Sequence, residues 1–332
     1  AIVAAVIILP MPAMIILNGS GRIAEGYRAT AIQRVIINGA QWAVLAIGGG
    51  LLSWPASQTA GLIFLAGWLI LFWRPTFRAL WRQPPGGSRV DWWREVWPFQ
   101  WKVALSTPFI YLTFQVFTPV LFWYAAEGEA GRMGLCLTIA NALTSASSAW
   151  VLARMPQFGQ MIARRDWAAL DRLFWRSFRQ SGLILIVVAT VVWTAVIILQ
   201  GAAGDWVGDR MLKIGNRLLP ALPLGLILIG TLVQHTGFTL CCYLRAHRRD
   251  PFARVFIALG ICTAAAAFAA GRAGGGTLCM AAIYLGMNVL FYLGWGVAIF
   301  VRSRRNWHAE PPAAQAMTDL NAPDFPRPTT IR

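Results

Sequence analysis

Acidic residues are scarce in this chain. Against 29 Lys and Arg there are 13 Asp and Glu in 332 residues, and charged residues of both signs make up only 13%. A water-facing domain carries about a quarter charged residues, so the composition excludes a soluble globule as the main body. Histidine is nearly absent: His235, His247 and His308 are far apart in sequence, and no HExxH metal motif occurs. The five cysteines, Cys136, Cys241, Cys242, Cys262 and Cys279, lack metal-site spacing, and two are adjacent. That pattern argues against a disulfide framework and reads as small apolar residues, with an oxidised state left open only for Cys136 and Cys279 near outer ends. There is no GxxxxGK[ST] phosphate loop and no carboxylate pair at catalytic spacing inside an apolar stretch. No catalytic residue, metal or cofactor is expected. The chain also opens without a Met or a basic leader region.

Long hydrophobic runs are what the sequence has in abundance. Apolar residues make up 57%, concentrated in stretches at 1–17, 33–53, 57–73, 103–125, 133–153, 181–200, 219–243, 252–270 and 276–300. Most approach the roughly 20 residues that a bilayer core requires. The reading is an all-α polytopic membrane protein with nine transmembrane helices.

The basic residues fall mainly into alternate gaps. Those after the first, third, fifth, seventh and ninth stretches hold clusters such as Arg74, Arg78 and Arg82, or Arg302, Arg304 and Arg305, while the intervening gaps hold Arg132, Arg210, Lys213, Arg217 and Arg272. By the positive-inside rule the rich gaps and the C-terminus are cytoplasmic. A net charge of +16 spread over loops beside membrane ends points to anionic lipid as partner rather than nucleic acid. An odd number of spans, the first entering from outside, is expected of a chain whose N-terminal part is missing.

The longest polar interruption, 74–102, contains the breaker run Pro84-Pro85-Gly86-Gly87 between Trp-rich basic segments, with Trp81 on one side and Trp92, Trp93, Trp97 and Trp101 on the other. These read as interfacial amphipathic helices. The organisation expected is therefore 1–73 as one helix group, 74–102 as a cytoplasmic linker, 103–301 as a six-helix group, and 302–332 as a cytoplasmic, mostly disordered tail. Trp54, Trp73, Trp123, Trp150, Trp206 and Trp307 lie near span ends, as an aromatic belt requires; a sugar-stacking platform is the sharper alternative for a few of them. A second amphipathic helix is expected over 154–180. Asp166, Asp171, Arg172 and Arg176 would form its charged face, and Leu170, Leu173, Phe174 and Phe178 its apolar face.

Polar residues within the spans carry the functional signal. Arg34, Asn38 and Gln41 share one face of the second stretch. Gln115 sits in the fourth, Asn141, Thr144, Ser145 and Ser148 in the fifth, Gln234, His235 and Thr239 in the seventh, and Tyr284 and Asn288 in the ninth. Two readings stand: the lining of a hydrophilic cavity, and ordinary hydrogen bonding between helices. Pro108 and Pro119 are expected to break the fourth span twice, and Pro220 and Pro223 to break the seventh near its outer end. Kinked helices of this kind serve as hinges in transporters, and occur equally as static bends.

One resemblance is visible at family level. Residues 129–178, EAGRMGLCLTIANALTSASSAWVLARMPQFGQMIARRDWAALDRLFWRSF, followed by YLRAHRRDPF at 243–252, resemble the polysaccharide-biosynthesis branch of the multidrug/oligosaccharidyl-lipid/polysaccharide exporter superfamily, which includes O-antigen flippases. The match is reasonable over 98–308 and weak before it. It implies part of a twelve-helix, two-lobe flippase fold: 1–73 as the last three helices of the N-terminal lobe, 74–102 as the interlobe linker and 103–301 as the C-terminal lobe. It further implies alternating access for an undecaprenyl-pyrophosphate-linked glycan in a bacterial inner membrane, without covalent chemistry. Other envelope-polysaccharide assembly proteins are implied as further partners. On that template Arg34, Asn38, Gln41, Gln115, Asn141, Gln234, His235, Tyr284 and Asn288 would face the cavity. Arg132 would gate its outer mouth or anchor the loop. Two other functions compete. A cation-coupled drug exporter of the same superfamily would need an intramembrane carboxylate in the first group of helices, where only Glu25 is present, at an edge. A membrane-embedded polymerase or glycosyl-lipid ligase would need larger outer loops than these.

Overall fold

A computed structural model describes residues 10–19, 23–82, 91–201, 215–247 and 249–308. Within them every regular element is helical. Among the described residues six helices are long and apolar enough to cross a membrane, or seven if one bent pair counts as a single span, so the chain is an all-α, multi-pass membrane protein. Pro84 to Gly87, Arg89, Trp206, Asp205, Asp209, Arg210, Lys213 and the tail from 309 lie outside the described residues.

The chain folds as two compact units, Ala1–Val90 and Asp91–Arg332. The first contains α1 (Met11–Gly19), α2 (Ile23–Ala46), α3 (Ser53–Trp68), a π-helical turn at Leu69–Trp73 and α4 (Arg74–Arg82). Helices α2 and α3 form an antiparallel hairpin in which Gly61 lets Ile37 approach closely, and Gln33 Nε2 donates to the Gly61 carbonyl at 3.2 Å. The second stretch was expected at 33–53, yet α2 begins at Ile23 and ends at Ala46. Glycine explains the early stop. Gly48 lies at φ +80°, and the Gly49 and Gly48 amides return to Val44 and Leu45 carbonyls at 2.8 and 3.0 Å. This double bond satisfies the helix end and requires a left-handed residue. With Glu25, Arg28 and Arg34 aboard, α2 is not among the six apolar spans.

The second unit contains α5 (Trp97–Gln115), α6 (Phe117–Tyr124), α7 (Glu127–Leu152), α8 (Met155–Ala163), α9 (Trp167–Gly201), α10 (Ala221–Ala246), α11 (Ala253–Arg272), α12 (Thr277–Asn288) and α13 (Val297–His308). A π-helical stretch, Val289–Gly296, joins the last two. Of the segments expected to lie at the interface, Arg74–Arg82 forms α4, whereas the one beyond the Pro-Gly run is continuous with α5. Asp91 Oδ1 accepts from the Trp93 and Arg94 amides at 3.1 and 3.3 Å, and the chain then runs through a π turn into α5. Likewise Asp166 Oδ1 caps the Ala169 amide at 3.0 Å, opening the single 35-residue helix α9. At 1.5 Å per residue α9 is about 52 Å long, well beyond a bilayer core of about 30 Å. Its first turns bury Leu170 and Phe174 completely.

Proline acts differently in three places. Helix α5 runs unbroken through Pro108, which corrects the expected double break. The bend of 46° lies between Gln115 and Phe117, one turn before Pro119. Pro119 has no amide to donate to the Gln115 carbonyl, and its ring crowds that oxygen. Pro220 and Pro223 do not kink their span. Pro220 is the N-cap of α10 and Pro223 lies in its first turn, where the backbone amides have no intrahelical partner to lose.

Two apolar clusters form the core of this unit. One joins Phe117, Val120, Met133, Cys136, Ile227, Met280 and Tyr284. The other joins Phe158, Phe174, Tyr243, Phe252, Leu259, Tyr292 and Phe300. Close helix approach depends on small residues. Gly260 of α11 lies against the Phe109 backbone of α5, and Gly230 and Gly237 of α10 receive the rings of Tyr284 and Tyr292. The glycines are seven residues apart and the tyrosines eight. On a regular helix eight residues overshoot two turns by about 80°. A π turn absorbs an extra residue, so Val289–Gly296 returns both rings to the α10 face. All five thiols are free; Cys136, Cys241 and Cys242 are buried, while Cys262 and Cys279 are exposed.

Candidate functional site

Between the two apolar clusters lies a layer of buried polar side chains drawn from every span of the second unit. Thr113 of α5, Ser147 and Ser148 of α7, Ser181 of α9, Thr231, Gln234, His235 and Thr239 of α10, Thr263 of α11 and Asn288 of α12 are each buried. Along α10 the order is visible in sequence: Leu224 to Leu228 belong to one cluster and Leu240 to Leu244 to the other, with the polar residues between.

The centre of the layer is a short hydrogen-bond chain. Tyr284 Oη donates to Gln234 Oε1 at 3.0 Å and lies 3.5 Å from Thr231 Oγ1. Asn288 Nδ2 donates to the Tyr284 carbonyl at 2.7 Å. His235 Nε2 meets Ser181 Oγ at 3.0 Å. Four other polar atoms of the layer, Ser148 Oγ, His235 Nδ1, Thr263 Oγ1 and Asn288 Oδ1, have no hydrogen-bond partner among the described residues. Buried polar groups are nearly always paired, and leaving one unpaired costs about 1–3 kcal/mol. Four in one layer is a concentrated deficit.

The fold brings Gln234, His235, Tyr284 and Asn288 together in this layer. It does not bring Gln115, Asn141 or Arg132 into it: Gln115 and Arg132 are exposed and Asn141 is half-buried. In the first unit Arg34 and Asn38 are exposed and Gln41 is half-buried, on a stripe of α2 that flanks the buried Ile37. Sequence reasoning missed Thr113, Ser147, Ser181, Thr231 and Thr263. Each is a small hydroxyl that hydropathy does not separate from its apolar neighbours.

A second polar grouping lies where α9, α10 and α13 end. Asp171 accepts from Tyr243 Oη at 2.9 Å and from Arg304 Nε at 3.2 Å, with a second Arg304 contact through Nη2. His308 Nε2 approaches Tyr243 Oη at 2.9 Å, and the Trp167 ring stacks on His308 and His247. His247 Nδ1 lies 3.0 Å from the Tyr243 carbonyl, which makes Nδ1 the protonated nitrogen, and Nε2 is buried with no partner among the described residues. Burial, then the neighbouring His308 and Arg249 charges, outweigh that bond and push the His247 pKa below its ordinary value. This grouping ties three helix ends together. Among the described residues no group of His, Cys, Asp and Glu is arranged to hold a metal ion.

No protein-family model, curated protein or solved structure matches the chain.

Proposed function

We propose that this chain belongs to a lipid-linked oligosaccharide or polysaccharide flippase that works by alternating access across a bacterial inner membrane. In this reading it contributes nine spans of a twelve-helix, two-lobe fold, with the C-terminus cytoplasmic. The observation that carries the proposal is the buried polar layer, with its four unpaired polar atoms. Uncharged donors and acceptors at mid-span suit hydroxyl-rich cargo, and their unmet bonding favours a second conformation in which the layer opens. The 46° bend ahead of Pro119 supplies a discontinuous span of the kind such an opening uses. Alternating charge along the loops and the residues at 129–178 support the same reading.

Arg34 is the residue through which the anionic end of the cargo is tested. It is exposed, at the head of the α2 face that continues through Asn38 and Gln41. A pyrophosphate group takes two parallel hydrogen bonds from a guanidinium and only a point charge from an ammonium. Transport by Arg34→Lys and Arg34→Ala variants, at matched membrane expression, separates contact from anchoring. Loss in both is expected; full transport by the Lys variant identifies Arg34 as an interfacial anchor and removes it from the site.

A further inference from the structure

A cleft of about 920 Å³ lies among the ends of α5, α11 and α13 and the turn between α10 and α11, entirely within the second unit and apart from the polar layer. Its walls repeat one pattern on three helices. Lys102 of α5, Arg254 of α11 and Arg302 of α13 each line it, and Leu105, Ile257 and Ile299 line it three residues further into the same spans. A ring of cations therefore sits one helical turn above an apolar floor.

Arg249 adds a fourth cation, lying 5.2 Å from the centre of the Trp307 ring. The one carboxylate in the lining, Asp250, is already neutralised: its Oδ2 accepts from Arg245 Nη2 at 2.8 Å and Nε at 3.0 Å. Arg254 occupies the first turn of α11, where the helix dipole already disfavours a cation and favours an anion. Trp101 and Trp295, 43% and 42% exposed, also line the cleft and leave it open to the surface. Trp at this depth suits the headgroup region of a bilayer.

We propose that this cleft binds a phosphate-bearing anion, the headgroup of an anionic phospholipid, with the first carbons of its acyl chains on the apolar floor. Basic recesses between membrane helices recognise lipid headgroups by this chemistry. The proposal rests on the membrane placement of the helices and not on transport, so a chain that moves no glycan still binds lipid here.

The test is native mass spectrometry of the intact, detergent-purified chain titrated with short-chain phosphatidylglycerol or phosphatidylcholine. One phosphatidylglycerol is expected to be retained at concentrations where phosphatidylcholine is not. Arg254→Gln with Arg302→Gln weakens retention at least tenfold. Arg172→Gln with Arg176→Gln, which removes the same charge from exposed positions outside the cleft, leaves it within twofold. Leu105→Trp keeps every charge but fills the floor, and abolishes retention of the lipid. Competition by inorganic pyrophosphate would identify free phosphate as a further occupant of the same site; no competition would restrict it to membrane-anchored headgroups. Equal retention of both lipids, or equal weakening by the two arginine pairs, overturns the proposal.

Discussion

Gly237 gives the sharpest test of the packing around the polar layer. A Cβ added there would overlap Cδ1 and Cγ of the Tyr292 ring, which is buried on the neighbouring span with 3% exposure. Carbon contacts settle at about 3.5–4.0 Å, so the ring must retreat by more than about 1 Å. Phe256 packs against the same ring at a centroid separation of 6.2 Å, which limits its room to move. Overpacking of this kind costs up to about 3 kcal/mol, and replacing Gly by Ala in a helix returns about 1 kcal/mol. Gly237→Ala is therefore expected to destabilise by about 2 kcal/mol, or about 4–8 °C in thermal midpoint for a unit of this size. Gly286→Ala, on the partner span, meets nothing within 4 Å and gains only the propensity term. It should move the midpoint up by about 2–4 °C. Scanning fluorimetry of both detergent-purified variants reads the two signs. Adding Tyr292→Leu to Gly237→Ala should recover part of the loss, with a coupling of about 0.5–3 kcal/mol in the double-mutant cycle. If Gly237→Ala raises the midpoint as Gly286→Ala does, the close approach of α10 to the last span is wrong.

Two further outcomes follow from the same side chains. Tyr284→Phe removes the hydroxyl that serves Gln234 and leaves a buried carbonyl oxygen unpaired, so thermal stability should fall by about 1–3 kcal/mol; an unchanged midpoint would mean that Gln234 finds another donor. For His247 the folded pKa is depressed, because burial disfavours its charged form. Its contribution is fully present above the ordinary histidine pKa of about 6.5 and is lost as pH falls toward the lowered folded value. Thermal midpoints should thus decline as pH falls below about 6.5, and His247→Phe, which keeps a ring beside Trp167, should flatten that decline. A variant as pH-sensitive as the parent would assign the effect to other groups.

How much of this was legible in sequence depends on the range of the interaction. Span identity rested on local composition, and the six clearly apolar helices carry that signal. Helix ends did not follow from hydropathy, because they are set by caps: Gly48 stopped α2 early, and Asp166 began α9 before its apolar part. Pro220 and Pro223 were misread as kinks because a proline's effect depends on its distance from the helix start, which hydropathy blurs. Gln234, His235, Tyr284 and Asn288 were singled out as intramembrane polar residues, but Ser181, Thr263 and Thr113 acquire meaning only when packing aligns separate spans at one depth. The cationic cleft was invisible for the same reason. Lys102, Arg254 and Arg302 lie in three distant segments, and each alone reads as an ordinary positive-inside charge.

The most direct measurement is the distribution of undecaprenyl-linked glycan between the two leaflets of the inner membrane, in cells with and without the gene encoding this chain. Loss of the gene should trap the lipid-linked glycan in the cytoplasmic leaflet and deplete surface polysaccharide, with restoration by the intact gene. Unchanged leaflet distribution together with unchanged surface polysaccharide would contradict the flippase assignment.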